Sequence, residues 1–349
     1  MALFGLGRSK TTVAIDVGSG LMKLVAIDHS RGEPEIARVA VAPVIGSAIV
    51  EGEIMDPDIV ADTIQGLFRS AGISNKRVVV AVGGRDVIVK KIQVDRMKES
   101  EAFDVVRWEA QQHVPFDIEA VELDFQILDP EESGMQMDVL LVAAKRDLVE
   151  EKTQLLAQAG LEPAVVDVDA FALHNAFEVN YPDAMRGGVA LLNIGHEVTN
   201  VNILLDGVPL LTRDLAVGTR KFREDLQRER GMSAEEADGL LRGYELTSDL
   251  QPFLENRGEE IAVGLERASA FLQTATGDIA GVERVYCCGG GARVPGLIDT
   301  LAQRLRMPVQ AATALQRLQA KDGVFDSLNA DEVGPLLMLA TGLALRKAA

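Results

Sequence analysis

Apolar runs of strand length alternate along the chain with stretches whose apolar residues fall on one helical face. The residues from Val13 to Ile15 are small or apolar, as in a strand buried on both faces. A second apolar run begins at Leu21, so 13–26 predicts a β-hairpin turning at Gly18-Ser19-Gly20. A strand is expected over 35–44. Asp56-Pro57 has the form of a helix start, with Asp as N-cap and Pro at the first helical position, and Gly72 that of a stop. A strand follows over 77–82. The texture changes at Gly83-Gly84: a strand over 87–94, an amphipathic helix over 99–114 ended by Pro115, strands over 121–128 and 137–144, and a helix over 145–159 ended by Gly160. This block reads as a small inserted α+β subdomain with Phe103, Val106 and Trp108 in its core.

Beyond it, 165–168 predicts a buried strand and Asp169 starts a helix. An apolar strand over 189–193, the turn Gly195-His196-Glu197 and a strand over 198–205 repeat the design of the first hairpin half a chain later. Asp206-Gly207 is a hairpin turn signal into 208–211. The region 218–266 reads as helices rich in Glu and Arg, with Ser233 as an N-cap and helix continuing through Leu272. A strand over 282–288 ends in Gly289-Gly290-Gly291, a helix follows Pro295-Gly296, and an apolar helix covers 335–345.

Composition narrows the function classes. At 349 residues, two lobes are expected rather than one core. The net charge of −18 argues against a nucleic-acid or anionic-lipid surface. Cys287 and Cys288 are adjacent and make no useful staple, which fits a reducing, cytoplasmic setting and a buried strand. No signal peptide is read at the N-terminus, and the longest uncharged stretches, 39–50 and 333–345, fall short of the roughly 20 residues of a spanning helix.

The chemistry concentrates at three glycine-bearing strand ends. A turn without Cβ atoms lets backbone N–H groups approach an anion. Asp16 ends the first strand, where a carboxylate can hold a metal-bound water, and Lys23 adds a positive charge past the turn. Asp16-Val17-Gly18-Ser19-Gly20, Asn193-Ile194-Gly195-His196-Glu197-Val198-Thr199 and Gly289-Gly290-Gly291-Ala292 follow in an order and spacing that resemble the actin/Hsp70/sugar-kinase ATPase superfamily. That resemblance implies an actin-like α/β fold in which two hairpins, one per lobe, clamp the phosphates of ATP with Mg²⁺ while the third loop packs on the adenosine.

Within the superfamily the chain resembles the FtsA family and, more closely, the PilM family of type IV pilus assembly. The matching segments are Phe4-Gly5-Leu6-Gly7, Trp108-Glu109-Ala110-Gln111-Gln112-His113-Val114-Pro115-Phe116, Asp167-Val168-Asp169-Ala170-Phe171-Ala172-Leu173 and Ala340-Thr341-Gly342-Leu343-Ala344-Leu345. FtsA proteins end in a linker and an amphipathic membrane helix, whereas this sequence stops after the closing helix, which favours PilM. The implied layout is a first-lobe core over 8–83 and 161–186 with an insert at 84–160. The second-lobe core covers 187–225 and 282–330, with a helical subdomain at 226–281, and 331–349 returns to the first lobe.

The resemblance implies a cytoplasmic ATP-binding adaptor, with weak turnover or none. It would dock the N-terminal cytoplasmic tail of the inner-membrane protein PilN and meet other pilus assembly proteins, including motor ATPases, with no membrane insertion of its own and with self-association open. A division-type filament former and a small-molecule kinase are the alternatives. Carried over motif by motif, Asp16 acts through water on Mg²⁺. Gly18, Ser19, Gly20, Lys23, Gly195 and Thr199 contact phosphates. Gly290, Gly291 and Ala292 pack on the adenosine, and Asp238 of Ala237-Asp238 reaches the ribose or is a solvated helix face. Leu241 stands where relatives place a Lys near the base. Asn193 replaces the usual Asp, so metal binding and hydrolysis are expected to weaken. His196 lies in the phosphate turn, and Asp169 either orients an attacking water or caps its helix.

Overall fold

The computed structural model describes residues 11–50, 52–128, 134–244, 250–276 and 281–346. The lead Phe4-Gly5-Leu6-Gly7 lies outside them. The first hairpin is β1 (Thr11–Val17) against β2 (Leu21–Asp28), in antiparallel register from Thr11↔Asp28 to Val17↔Met22. β3 (Glu35–Pro43) pairs antiparallel with β2. A short ribbon of β4 (Ile49–Val50) and β5 (Glu53–Ile54) leads to α1 (Pro57–Ser70). Asp56 caps α1 through its side chain, which accepts from the Ile59 N–H. β6 (Arg77–Val82) then runs parallel to β1.

The inserted block is β7 (Val87–Asp95), α2 (Glu99–His113), β8 (Val121–Ile127) and β9 (Gln136–Lys145), with strand order β7-β9-β8. Val106 is fully buried there, as expected, together with Ala102 and Ala110. Phe103 and Trp108 are not core residues: they are 48% and 60% exposed. The buried stripe of α2 runs 102–106–110, and its two alanines let the helix approach the sheet closely. Phe103 and Trp108 fall off that stripe.

α3 (Arg146–Gln158) returns the chain to the first lobe through β10 (Glu162–Val168), which pairs parallel with β6. The first-lobe sheet reads β10-β6-β1-β2-β3-β16 among the described residues, with β16 the short strand Gln319–Ala320. Alternation along β1 sorts its side chains. Val13 and Ile15 pack with Ile64, Leu67 and Phe68 of α1 and Leu155 and Leu156 of α3, whereas Ala14 faces α4 (Asp169–Asn180).

The second lobe repeats the plan. β11 (Gly188–Ile194), β12 (Thr199–Leu205) and β13 (Val208–Leu215) form an antiparallel meander. After α5 (Thr219–Arg230), α6 (Ala234–Leu241) and α7 (Gln251–Thr276), β14 (Arg284–Cys288) joins parallel to β11. α8 (Leu297–Leu305) and β15 (Val309–Ala311) complete the order β13-β12-β11-β14-β15. Ser233 caps α6 in a reciprocal box with Glu236. Cys287 and Cys288 are free and buried. β16 (Gln319–Ala320) crosses back to pair parallel with β3, and α9 (Ala330–Val333) precedes the closing helix α10 (Met338–Leu345).

One core joins the lobes. Phe177 of α4 is buried between Ala14 and Val79 of the first sheet and Leu191 and Tyr286 of the second, with its ring edge-on to Tyr286 at 4.7 Å. α10 lies against α4 so closely that a Cβ on Gly342 would fall 1.6 Å from the Ala172 carbonyl oxygen. Among the described residues no helix is long and apolar enough to cross a membrane.

Candidate functional site

The turns of the two hairpins face each other where the lobes meet. In the first, Asp16 and Lys23 are cross-strand partners, and the ammonium lies 2.8 Å from the carboxylate with both side chains largely buried. Gly18 leaves room for that ammonium: a Cβ there would stand 3.2 Å from Lys23 Nζ and 3.0 Å from the Leu21 carbonyl. Ser19 lies beside it in the turn. Gly20 touches the other lobe, since its Cβ would come within 2.7 Å of Cβ and Cγ of His196.

In the second hairpin the Gly195 N–H donates to the Val198 carbonyl and closes the turn. Burial, and then the positive charge of Arg223, hold the His196 imidazole below its ordinary range. Asn193 spends its amide N–H on Asn200 Oδ1 at 3.1 Å, and Asn200 in turn donates to Asp214 at 2.8 Å. Thr199 departs from its expected role. Its side chain is buried, and its hydroxyl donates to the Val217 carbonyl at 2.6 Å, stapling the hairpin to the strand exit before α5. The hydroxyl is therefore already committed inside the lobe.

The third loop is a 3₁₀ turn over Gly290–Arg293. Gly289 takes φ +78°, and a Cβ there would meet Asn193 Oδ1 at 2.5 Å. Gly291 is buried against Ile194, whose Cγ2 lies 2.1 Å from where its Cβ would be, so packing alone requires glycine there. Gly290 is more open, with only Thr219 Cγ2 near, and Ala292 is half-buried beside it.

Asp169 is the first residue of α4, not its cap. Val168 takes the N-cap position, where its apolar side chain can accept no bond, and the Asp169 carboxylate lies against Gly83. A Cβ on Gly83 would lie 2.1 Å from Asp169 Oδ2. Burial, reinforced by the charge of Asp16, pushes the Asp169 carboxyl up to about 7, against the pull of Lys152. The same burial holds the Lys152 ammonium below its usual range. Asn202 of β12 ties this end of α4 to the second lobe by donating to the Ala170 carbonyl at 2.9 Å.

The site thus gathers Asp16, Lys23, Gly20, Asp169, His196 and Gly290 from segments far apart in sequence. Asp238 sits on α6 with its carboxylate 3.6 Å from the Arg223 guanidinium. Sequence reading missed Gly83, Lys152, Asn200, Asp214, Thr219 and Arg223. The glycine pair at 83–84 was a visible signal; the others have no local motif. Among the described residues no group of three or more His, Cys, Asp or Glu is arranged to hold a metal. The Asp16 carboxylate, paired with Lys23, is of the kind that suits Mg²⁺ arriving with phosphates and keeping most of its water.

A family model described as "Type IV pilus assembly protein PilM" matches residues 14–348. A chain of a solved PilM-PilN type IV pilus biogenesis complex superposes with a TM-score of 0.82 at 29% identity, covering 98% of this chain and 99% of that one. Cell division protein FtsA of Bacillus subtilis (strain 168) is 21% identical over 333 residues, covering 86% of this chain and 71% of its own length. MreB5 of Spiroplasma citri, solved with ADP, superposes with a TM-score of 0.51 at 12% identity, covering 97% of this chain and 96% of that one. The fold is that of the actin-like ATPases.

Proposed function

This chain belongs to the type IV pilus assembly protein PilM family, and from that premise we propose that it is a nucleotide-binding adaptor for a PilN cytoplasmic tail. The observation that carries the reading is the full-length likeness to a chain solved in a PilM-PilN complex, together with two glycine turns that meet across the lobes. The adaptor works at the cytoplasmic face of the inner membrane, held there by its partner. Its acidic surface, with net charge −18, complements a tail that carries Arg or Lys.

The cleft residues fit ATP. The amides at Gly18, Ser19 and Gly20 line one wall of a cradle, and the turn at Gly195-His196 packs against it too closely at Gly20 for a Cβ. Lys23 supplies a phosphate contact once it is shared with Asp16. Asp16 holds the water shell of Mg²⁺, and Gly290 and Ala292 border the adenosine. When bound, the nucleotide supplies a charged bridge between the lobes. Asn193 offers only an uncharged amide, its N–H bonded to Asn200, so it adds no charge for the metal and turnover is slow.

The test is fluorescence anisotropy of a labelled PilN N-terminal peptide titrated with this protein in Mg-ATP. Saturable binding that a scrambled peptide loses supports the adaptor; no binding at tens of micromolar (roughly −6 kcal/mol or weaker) removes it.

A further inference from the structure

The second lobe carries an arginine that its own hydrogen bonds do not satisfy. α5 starts directly on the second phosphate turn. The Thr219 N–H donates to the Gly195 carbonyl at 3.0 Å and the Arg220 N–H to the His196 carbonyl at 2.7 Å. Gly218 permits this docking, because a Cβ there would lie 2.4 Å from the His196 carbonyl oxygen. The helix face that begins at Thr219 therefore borders the cleft. Thr219 itself lies 3.4 Å from His196 Nδ1 and beside Gly290 of the third loop.

The two arginines on this part of α5 differ. Arg220 is paired with Glu197 and Glu224. Arg223 is one helical turn beyond Thr219, and its Nε is buried without a partner. Its nearest carboxylate, Asp238 Oδ2, is 3.6 Å from Nη1, too far for a hydrogen bond. A buried donor left unpaired is costly, so a guanidinium held in this way is one that a ligand completes. Its location fixes the class of ligand. Its charge acts on His196 in the phosphate turn, its nearest carboxylate is Asp238 of α6, and a guanidinium fork matches phosphate oxygens.

We propose that Arg223 is the second lobe's phosphate-binding cation, gripping the phosphate chain of the nucleotide opposite Lys23 of the first lobe. This rests on the nucleotide-binding reading given above. It also gives the second lobe a positive contact although Leu241 stands where related chains were expected to carry a Lys. In the absence of phosphate the guanidinium leans toward Asp238; with phosphate it turns to the ligand and satisfies Nε.

Isothermal titration of the wild type, R223Q and R223K with ATP, ADP and adenosine tests this, with thermal melts to show that each variant is folded. The expected result is that R223Q weakens ATP and ADP by about tenfold or more and leaves adenosine unchanged, while R223K keeps part of the difference. If R223Q binds ATP as the wild type does, or loses adenosine to the same degree, Arg223 is no phosphate ligand. Should R223Q not fold, R223M decides: its ATP-to-adenosine affinity ratio falls if the charge grips phosphate and stays at the wild-type value if it does not. A wild type that binds no ATP at all overturns the nucleotide reading itself, and this proposal with it.

Discussion

Gly20 of the first hairpin turn packs directly on His196 of the second, with no space for even one methyl group between them. The two lobes therefore meet at the turns that would hold a phosphate chain, and a side chain added at Gly20 has to displace the other lobe. Gly20→Ala is expected to weaken ATP binding by about tenfold or more, from a clash of the overpacking kind. The predicted Cβ clash is with His196 Cβ as well as the ring, so His196→Gly, not His196→Ala, should restore space in the double variant. Equilibrium titration of the single and double variants checks this; equal affinity of Gly20→Ala and wild type would place the phosphates elsewhere.

Asp16 holds Lys23 at 2.8 Å and faces the same turn. Asp16→Ala frees the ammonium but removes the contact proposed for the metal's water shell. ATP affinity is expected to fall by about tenfold or more in Mg²⁺ and to change far less when ATP is offered with a chelator. Titration with and without Mg²⁺ separates the two. A loss that is independent of the metal would show that Asp16 serves the hairpin and not the ion.

The Asp169 carboxyl is pushed up to about 7 by burial and by Asp16, from an ordinary 3.8. The folded protein therefore binds more protons than the unfolded chain between those values. Stability falls as pH rises through that window and levels off above it. Asp169→Asn removes the ionisation. Relative to wild type it should gain stability from pH 4 to pH 7, reaching on the order of 4 kcal/mol at pH 8. Urea unfolding of the nucleotide-free proteins at pH 5 and pH 8 measures it; a difference that does not change with pH would contradict this environment for Asp169.

Gly342 places α10 against the Ala172 carbonyl, and Arg346 beyond α10 makes two bonds, 2.7 and 2.9 Å, to the buried Asp167. These contacts fix α4, whose first residue is Asp169. Gly342→Ala should cost on the order of 3 kcal/mol in stability by overpacking, and Arg346→Ala about 1–3 kcal/mol through the unpaired carboxylate of Asp167. Denaturant melts report both. A Gly342→Ala protein as stable as wild type would mean that α10 is free to shift.

Much of this was readable from residue patterns, and the rest was not for identifiable reasons. The hairpins were legible because glycine turns interrupt apolar runs, and the Ser233 cap because its partner Glu236 is three residues away. Phe103 and Trp108 misled because an amphipathic period leaves the phase of the stripe to be set by the partner sheet, and small Ala102 and Ala110 won the inner face. Asp169 looked like a cap because acidic residues at helix starts usually are; Gly83, more than 80 positions earlier, supplies the space that draws its side chain away. Thr199 sits in a phosphate motif yet bonds Val217. Arg223 has no local signal, since its meaning comes from the docking of α5 on Gly195 and His196.

The central claim is that three separate strand ends form one nucleotide site. Hydrogen–deuterium exchange of the whole chain with and without Mg-ATP tests it most directly. The account predicts added protection together at the amides of 18–20, 196 and 290–292, since the ligand spans both lobes. Protection confined to one of these segments, or absent from all three at saturating ATP, would contradict it.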